Sequence, residues 1–170
     1  PARARRPRRI AGWRRLAVFT VSPQFRGQSE RADRVRQGVG VRQVRARVTT
    51  GPALQREGIT LPANVHVTPY ADHRSVLPHA VLVITHAGFG TVQASLAAGI
   101  PMVCIPSGRD QPANAARVAE LGVGVAAAPT VTPAELRAQI VAALADPELR
   151  RNAQQLSTLL NRDDGVAAAV

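Results

Sequence analysis

Lysine is absent from this 170-residue sequence, and cysteine, methionine, tryptophan and tyrosine occur once each. Without lysine there can be no Walker A phosphate loop, which needs that residue after its last glycine, and no Schiff-base chemistry on a lysine amine. The single cysteine, Cys104, cannot form an internal disulfide, so a reducing cytoplasm is the expected compartment. Cys104 also lies in an apolar strand pattern, which predicts an inert buried thiol.

Long apolar runs are also missing. No stretch approaches the roughly 18 residues that a membrane span requires, so we expect a soluble cytoplasmic chain. The arginine-rich start lacks the long apolar segment of a signal peptide. An apolar fraction of 45% nevertheless predicts a folded globule rather than a disordered chain.

Acidic residues are scarce at one end of the chain only. Residues 1–47 hold 14 arginines against two acids, whereas residues 48–170 hold 8 arginines against 9 acids, so the net charge of +11 belongs to the first part. Residues 1–15 have no hydrophobic period and are predicted to be a disordered basic arm. Such charge favours a nucleic-acid partner, but aromatic residues are not interleaved with the arginines and no nucleic-acid motif follows. Nucleic-acid binding is therefore the weaker alternative.

Short apolar segments alternate with helical patterns through glycine and proline turns. Residues 80–85 (AVLVIT) form a continuous apolar run typical of a strand buried in a parallel sheet. The pattern TPAE at 132–135 is typical of a helix start with a capping box. The alternation predicts an α/β fold, a Rossmann-like doubly wound parallel sheet, over 16–160, with 161–170 as a tail. The predicted strands are 16–21, 44–49, 64–68, 80–85, 102–105 and 123–126, and helices begin near 91, 111, 133 and 148.

The densest chemical signal is THAGFGT, residues 85–91, between the AVLVIT strand and a helix. Glycines at 88 and 90 let the backbone turn tightly and let a ligand approach without obstruction by a Cβ atom. The first turn of the helix presents free N–H groups and a positive dipole end to an anion. The pattern predicts a phosphate site formed by His86, Gly88, Gly90 and Thr91. The alternative is an ordinary strand-to-helix turn with a capping threonine and a packed histidine.

A second polar cluster, PSGRDQPANAARV at residues 106–118, follows the next predicted strand. It places Arg109, Asp110, Gln111 and Asn114 at the neighbouring carboxyl end of the sheet. Asp110 and Gln111 together offer the donors and acceptors that sugar hydroxyls require. The alternative is that Asp110 is only a helix N-cap and Gln111 a solvated residue of the first turn.

These two clusters and the segment before them resemble family 1 glycosyltransferases, the nucleotide-sugar-dependent enzymes of the GT-B fold. Bacterial members that glycosylate macrolides and other natural products are the most similar. The similar stretches are VHVTPYADHRSVLPHA, THAGFGTVQASLAAGIPMVCIP and GRDQPANAARVAELGVG. The resemblance is strong over 64–160 and weaker over 16–63. It implies that residues 16–160 form a nucleotide-sugar donor-binding domain, the C-terminal Rossmann-like half of a GT-B enzyme.

The resemblance also implies roles for particular residues. The donor diphosphate would be held by His86, Gly88, Gly90, Thr91 and Ser22, the sugar by Asp110 and Gln111, and the base by Tyr70, Ala71 and His73. Two positions depart from the family pattern. Pro23 replaces a hydroxyl residue after Ser22, and Asp72 replaces a common proline.

The activity implied is that of an inverting hexosyltransferase, moving a hexose from a UDP- or TDP-sugar to a small hydrophobic acceptor such as a natural product, a lipid or a sterol-like molecule. In the family the general base comes from an N-terminal acceptor domain that has no counterpart in these residues. We therefore expect the 170-residue chain to be a fragment that binds the donor but transfers no sugar alone. The alternatives are a sugar-nucleotide epimerase domain, the basic nucleic-acid-binding module and a remnant of a disrupted gene.

No cofactor or metal is expected. The four histidines lack ligand spacing and nearby carboxylate partners. Negative charge on a departing diphosphate can instead be stabilised by backbone N–H groups, the helix dipole and His86.

Overall fold

A computed structural model describes residues 16–20, 45–49, 63–68 and 72–162 of the chain. The predicted arm at 1–15 lies outside the described residues, as do Ser22, Tyr70 and Ala71. The strands are β1 (Leu16–Thr20), β2 (Arg45–Thr49), β3 (Val65–Thr68), β4 (Ala80–Thr85), β5 (Met102–Cys104) and β6 (Gly124–Ala126). The helices are α1 (His73–Val76), α2 (Phe89–Ala97), α3 (Gln111–Glu120), α4 (Pro133–Ala145) and α5 (Pro147–Arg162).

All six strands pair in parallel in one sheet, in the order β3-β2-β1-β4-β5-β6. The chain therefore builds the sheet outwards in one direction from β1 and then in the other from β4. This is the Rossmann strand order, in which the point of reversal opens a crevice beyond the carboxyl ends of the two central strands. The predicted doubly wound parallel sheet is confirmed.

The core lies in two layers, one on each face of the sheet. Successive side chains of β5 lie on opposite faces of the sheet, so Met102 and Cys104 belong to one layer of the core and Val103 to the other. Helix α4 covers the Val103 side, and helices α2 and α3 pack on the Met102 side. Burial raises the pKa of the Cys104 thiol to about 12, so the thiol stays protonated at neutral pH. This agrees with the prediction that Cys104 is inert.

The helix starts correct two sequence-based expectations. Helix α2 begins at Phe89, two residues before the predicted start, with Gly88 as its N-cap. Asp110 precedes α3 as predicted, but its side chain does not cap the helix. Its carboxylate instead accepts a hydrogen bond from Nδ2 of Asn114 at 2.8 Å. Asp110 thus occupies the predicted N-cap position of α3, but without a side-chain capping bond.

Helix α4 begins with the capping box expected from TPAE. The Thr132 hydroxyl accepts a bond from the Glu135 amide at 3.3 Å, and the Glu135 carboxylate accepts from the Thr132 amide at 2.8 Å. The Thr132 amide and the Thr132 hydroxyl, which also donates to the carboxylate at 2.8 Å, lower the pKa of Glu135. The charged carboxylate is thus the form that stabilises the start of α4.

We expect Thr132→Ala to lower the free energy of unfolding by about 1 kcal/mol at pH 7. The loss should shrink as the pH falls through the folded-state pKa of Glu135. That pKa lies below its unfolded value, so the stabilisation is present above the unfolded pKa and disappears in acid. Urea unfolding at pH 7 and pH 3 measures both losses, with exposed Thr130→Ala as the matched control. Equal losses at the two pH values would contradict the coupling.

Side chains of α5 donate hydrogen bonds to backbone carbonyl groups at the C-terminal ends of two other helices. Asn152 donates to the Gly122 carbonyl oxygen after α3 at 3.1 Å. Ser157 and Asn161 both donate to the Ala97 carbonyl oxygen at the end of α2, at 2.6 and 3.1 Å. Helix α5 therefore contacts its own domain through polar groups as well as apolar ones.

Helix α5 continues to Arg162, two residues into the predicted tail, and its apolar residues run from buried Leu149 to half-exposed Leu160. Glycine is required where the end of α2 meets α5, because Gly99 has a φ of +67° and a Cβ there would lie 3.3 Å from Cα of Gln154.

Within the described ranges, none of the helices has the length and apolarity needed to cross a bilayer.

Candidate functional site

The candidate site lies where β4 and β5 end, beside the reversal of strand order between β1 and β4. Thr85 ends β4, and three residues later the chain enters α2. Cys104 ends β5, and the loop after it leads into α3. Both polar clusters found in the sequence are therefore brought to the same edge of the sheet, where this fold class binds ligands.

The tight turn after β4 is made by an alanine, not by a glycine. Ala87 has a φ of +64°, in the left-handed region, whereas Gly88 has ordinary extended angles of −63° and 137°. The expectation that the glycines make the turn is wrong in this respect. A left-handed alanine costs about 1–2 kcal/mol, so surrounding contacts must hold it. The Ala87 amide donates to the Thr85 hydroxyl at 3.2 Å, and its carbonyl accepts from Asn114 at 3.0 Å.

Gly88 is needed for a different reason, namely the position of His86. The imidazole lies against the α-carbon of Gly88, where a Cβ would collide with Nε2 and would lie 3.2 Å from Cδ2. At Gly90 a Cβ would meet nothing within 4 Å. The first glycine therefore makes room for the histidine ring, and the second leaves open space above the first turn of α2.

The first turn of α2 offers donors to a ligand. No side chain caps this helix, and its first turn contains no acidic residue. Helix geometry leaves the amides of Gly88, Phe89 and Gly90 without an intrahelical acceptor. The Thr91 amide is already bonded to the Gly88 carbonyl oxygen at 3.0 Å, so Thr91 can contribute through its half-buried hydroxyl. This arrangement suits an anion.

The loop after β5 also contains a left-handed residue and is closed by a hydrogen bond. Arg109 has a φ of +56°, so the only two non-glycine residues with left-handed backbone in the described part of the chain are Ala87 and Arg109, one in each loop. Gln111 is only 4% exposed, and its Oε1 accepts a bond from the Ser107 amide at 2.7 Å. The view of Gln111 as a solvated residue is therefore wrong. Asp110 remains exposed beside it.

Asn114 joins the two loops, a role that sequence reasoning did not assign to it. Its Nδ2 donates to the Ala87 carbonyl oxygen in one loop and to the Asp110 carboxylate before α3. The sequence placed Asn114 in the polar cluster after β5. Its position one helical turn after Asp110 was the available signal, because such spacing puts two side chains on one face.

The remaining predicted site residues are less informative. His73 lies half-exposed in the short helix α1, whose N-cap Asp72 accepts a bond from the Arg74 amide at 3.2 Å. The other base-binding candidates and Ser22 lie outside the described residues, so their roles stay predictions. Among the residues that the structure does describe, no three His, Cys, Asp or Glu side chains come close enough to form a metal site.

A Rossmann-like sheet with an uncapped helix N-terminus at its point of strand reversal is typical of nucleotide-binding α/β domains. The chain belongs to the family described as "Erythromycin biosynthesis protein CIII-like, C-terminal domain", whose model matches residues 41–163. The proteins it resembles include named glycosyltransferases, so the domain is of the kind found at the C-terminal end of these enzymes, as the resemblance in the sequence implied.

Individual proteins agree with this membership. The chain is 33% identical over 123 residues to 4'-demethylrebeccamycin synthase of Lentzea aerocolonigenes, covering 72% of this chain and 29% of that protein. The glycotransferase of kitacinnamycin matches with a TM-score of 0.82 and 29% identity, covering 91% of this chain and 41% of that one. The glycosyltransferase VinC, solved with dTDP, shares the fold at a TM-score of 0.76 and 24% identity, covering 88% and 38%. The chain thus spans less than half the length of these proteins.

Proposed function

We propose that this domain binds the nucleotide-sugar donor of an inverting glycosyltransferase, with the donor diphosphate at the first turn of α2. The observation that carries the proposal is the uncapped N-terminus of α2 beside His86 at the point of strand reversal. Three amides and a helix dipole are available there to a doubly charged group, and the His86 imidazole packs beside them on Gly88. The dTDP bound by VinC, which has the same fold, supports a UDP- or TDP-linked donor.

We propose that the donor sugar binds at the loop after β5. Exposed Asp110 offers a carboxylate to sugar hydroxyls, and the buried Gln111 offers its amide group, since its oxygen is engaged by Ser107. The base is assigned to Tyr70, Ala71 and His73, and Ser22 to the diphosphate, by the family pattern alone.

The chemistry proposed for the donor half is stabilisation of the leaving group. When an acceptor hydroxyl attacks the anomeric carbon, the bond to the β-phosphate breaks and negative charge grows on the departing nucleoside diphosphate. Amides fixed at the start of α2 and the His86 imidazole stabilise that charge more in the transition state than in the ground state. We propose that the protein's own donors suffice, without a metal, and that an acceptor domain supplies the base and holds a small hydrophobic acceptor.

Binding and transfer can be tested separately. We expect titration calorimetry to detect UDP or TDP binding by the 170-residue chain. His86→Ala should weaken that binding about tenfold, which corresponds to about 1.4 kcal/mol. The control is His79→Ala, because His79 is exposed and precedes β4 at the opposite end of the strand. Equal affinities for wild type and His86→Ala would refute the assignment of the diphosphate.

Sugar transfer should require more than this domain. We expect no transfer from UDP- or TDP-glucose to a phenolic or macrolide acceptor by the 170-residue chain alone. Joining it to the acceptor domain of a relative should restore transfer. Chromatography of the acceptor products measures the reaction, and turnover by the single domain would overturn the division of labour.

A further inference from the structure

We propose that Asn114 is a positioning residue that fixes the diphosphate-binding loop and the sugar-binding loop relative to each other; this inference rests on the proposed function. The amide group of Asn114 has two N–H bonds to donate. One reaches the Ala87 carbonyl oxygen at 3.0 Å, and the other reaches the Asp110 carboxylate at 2.8 Å. Ala87 and Asp110, which belong to different loops, are thereby tied to the same nitrogen.

The bond to Ala87 holds a conformation that alanine rarely adopts. A left-handed non-glycine residue persists only when its surroundings over-determine it. Here the Thr85 hydroxyl, fully buried at the end of β4, holds the Ala87 amide, and Asn114 holds its carbonyl. Since His86 precedes Ala87 and the N-cap Gly88 follows it, this turn decides where the imidazole and the first amides of α2 point.

The bond to Asp110 orients the sugar-binding carboxylate. Asp110 is exposed, and its side chain does not cap α3, so the contact with Asn114 restricts its rotamer. A hydrogen bond to a charged acceptor is stronger than one between neutral groups. One asparagine therefore fixes the spacing between the group that meets the diphosphate and the group that meets the sugar.

Substitutions at Asn114 and at Ala87 should separate the effect of the bond to Ala87 from that of the bond to Asp110. Asn114→Ala removes both, and Ala87→Gly removes the conformational cost that makes the first bond necessary. We expect Asn114→Ala to weaken UDP or TDP binding about tenfold, as displacements of about 1 Å in a site can do. It should also change the ratio of the dissociation constants for UDP and UDP-glucose, or for the TDP pair. The double variant Ala87→Gly/Asn114→Ala should regain diphosphate affinity to within about threefold of Ala87→Gly, but not the original ratio, because Asp110 stays unheld.

Asn152→Ala is the matched control. Asn152 also donates Nδ2 to a backbone carbonyl, that of Gly122 at 3.1 Å, but it lies outside the site. Replacing an asparagine that has only a structural role should lower the free energy of unfolding in urea without changing the ratio of dissociation constants. Asp110→Ala should change this ratio more than it changes the affinity for UDP or TDP. The proposal fails if Asn114→Ala changes ligand binding no more than Asn152→Ala does, or if the double variant regains nothing.

A measurement without ligand separates this proposal from the proposed function. In amide hydrogen exchange, Asn114→Ala should speed exchange of the Ala87 amide about tenfold or more relative to amides of α4, since local opening is a distinct event from global unfolding. If wild type binds neither UDP nor TDP, the donor-binding proposal is wrong, and so is the assignment of the two halves. Accelerated exchange would then still establish Asn114 as the residue that holds the Ala87 turn, and unchanged exchange would refute that as well.

Discussion

Replacing Gly88 with alanine is expected to reduce UDP or TDP affinity at least about tenfold, or about 1.4 kcal/mol. The new Cβ would occupy the space of the His86 ring, with Nε2 in collision and Cε1 at 3.2 Å. The imidazole must swing away, and the first turn of α2 then loses its neighbouring donor. Side-chain NMR signals of His86 should shift in the ligand-free protein, and calorimetry should record the loss of affinity.

Gly90→Ala is the matched change, because its Cβ would meet nothing within 4 Å. This variant should keep the His86 signals of wild type and gain up to about 1 kcal/mol of stability, as alanine does over glycine in a helix. Unmoved His86 signals in Gly88→Ala, or shifted ones in Gly90→Ala, would be inconsistent with the packing of the ring on Gly88.

The largest effect on folding is expected from Gly124→Ala. Gly124 begins β6 and lies beside Met102 of β5, so closely that a Cβ would collide with the Met102 carbonyl oxygen and would lie 2.7 Å from Cγ1 of Val118. The carbonyl belongs to the sheet and the valine to the buried face of α3, so neither can move cheaply. We expect a loss of about 3 kcal/mol in the free energy of unfolding.

Urea denaturation followed by circular dichroism measures this loss, with Gly90→Ala as the control for the same chemical change in open space. The slope of the transition should stay constant, because the surface exposed on unfolding is unchanged. A Gly124→Ala protein as stable as wild type would mean that β5 and β6 are less closely paired than described.

Local sequence patterns predicted those helices and strands well whose determining residues all lie within one short segment. AVLVIT forms a strand with the predicted ends, because an apolar run of this length suits only the centre of a parallel sheet. The capping box of α4 formed as predicted, since both its partners lie within one turn. A glycine at 99 followed by a proline at 101 is typical of a helix end, and α2 does end at Ala97, just before the left-handed Gly99.

Contacts between distant segments could not be predicted in this way. An alanine gives no sign of left-handed backbone, because the contacts that impose it on Ala87 come from Thr85 and from Asn114 on another element. Gln111 looked solvated because polar residues in a first helical turn usually are; its burial arises from the bond that closes the loop from Ser107. The identities of the site residues were thus accessible from sequence, and their mutual bonds were not.

The hydrogen bonds between α5 and the end of α2 link the C-terminal helix to the helix whose first turn forms the candidate site. Helix α2 has 9 residues, so its capped end lies about 13 Å from the turn that faces the ligand. Ser157 and Asn161 share one acceptor there, so we expect opening of α5 to destabilise the end of α2 as well. If the start of α2 binds the diphosphate as proposed, UDP or TDP should by linkage slow amide exchange in α5, a helix that contacts the opposite end of α2.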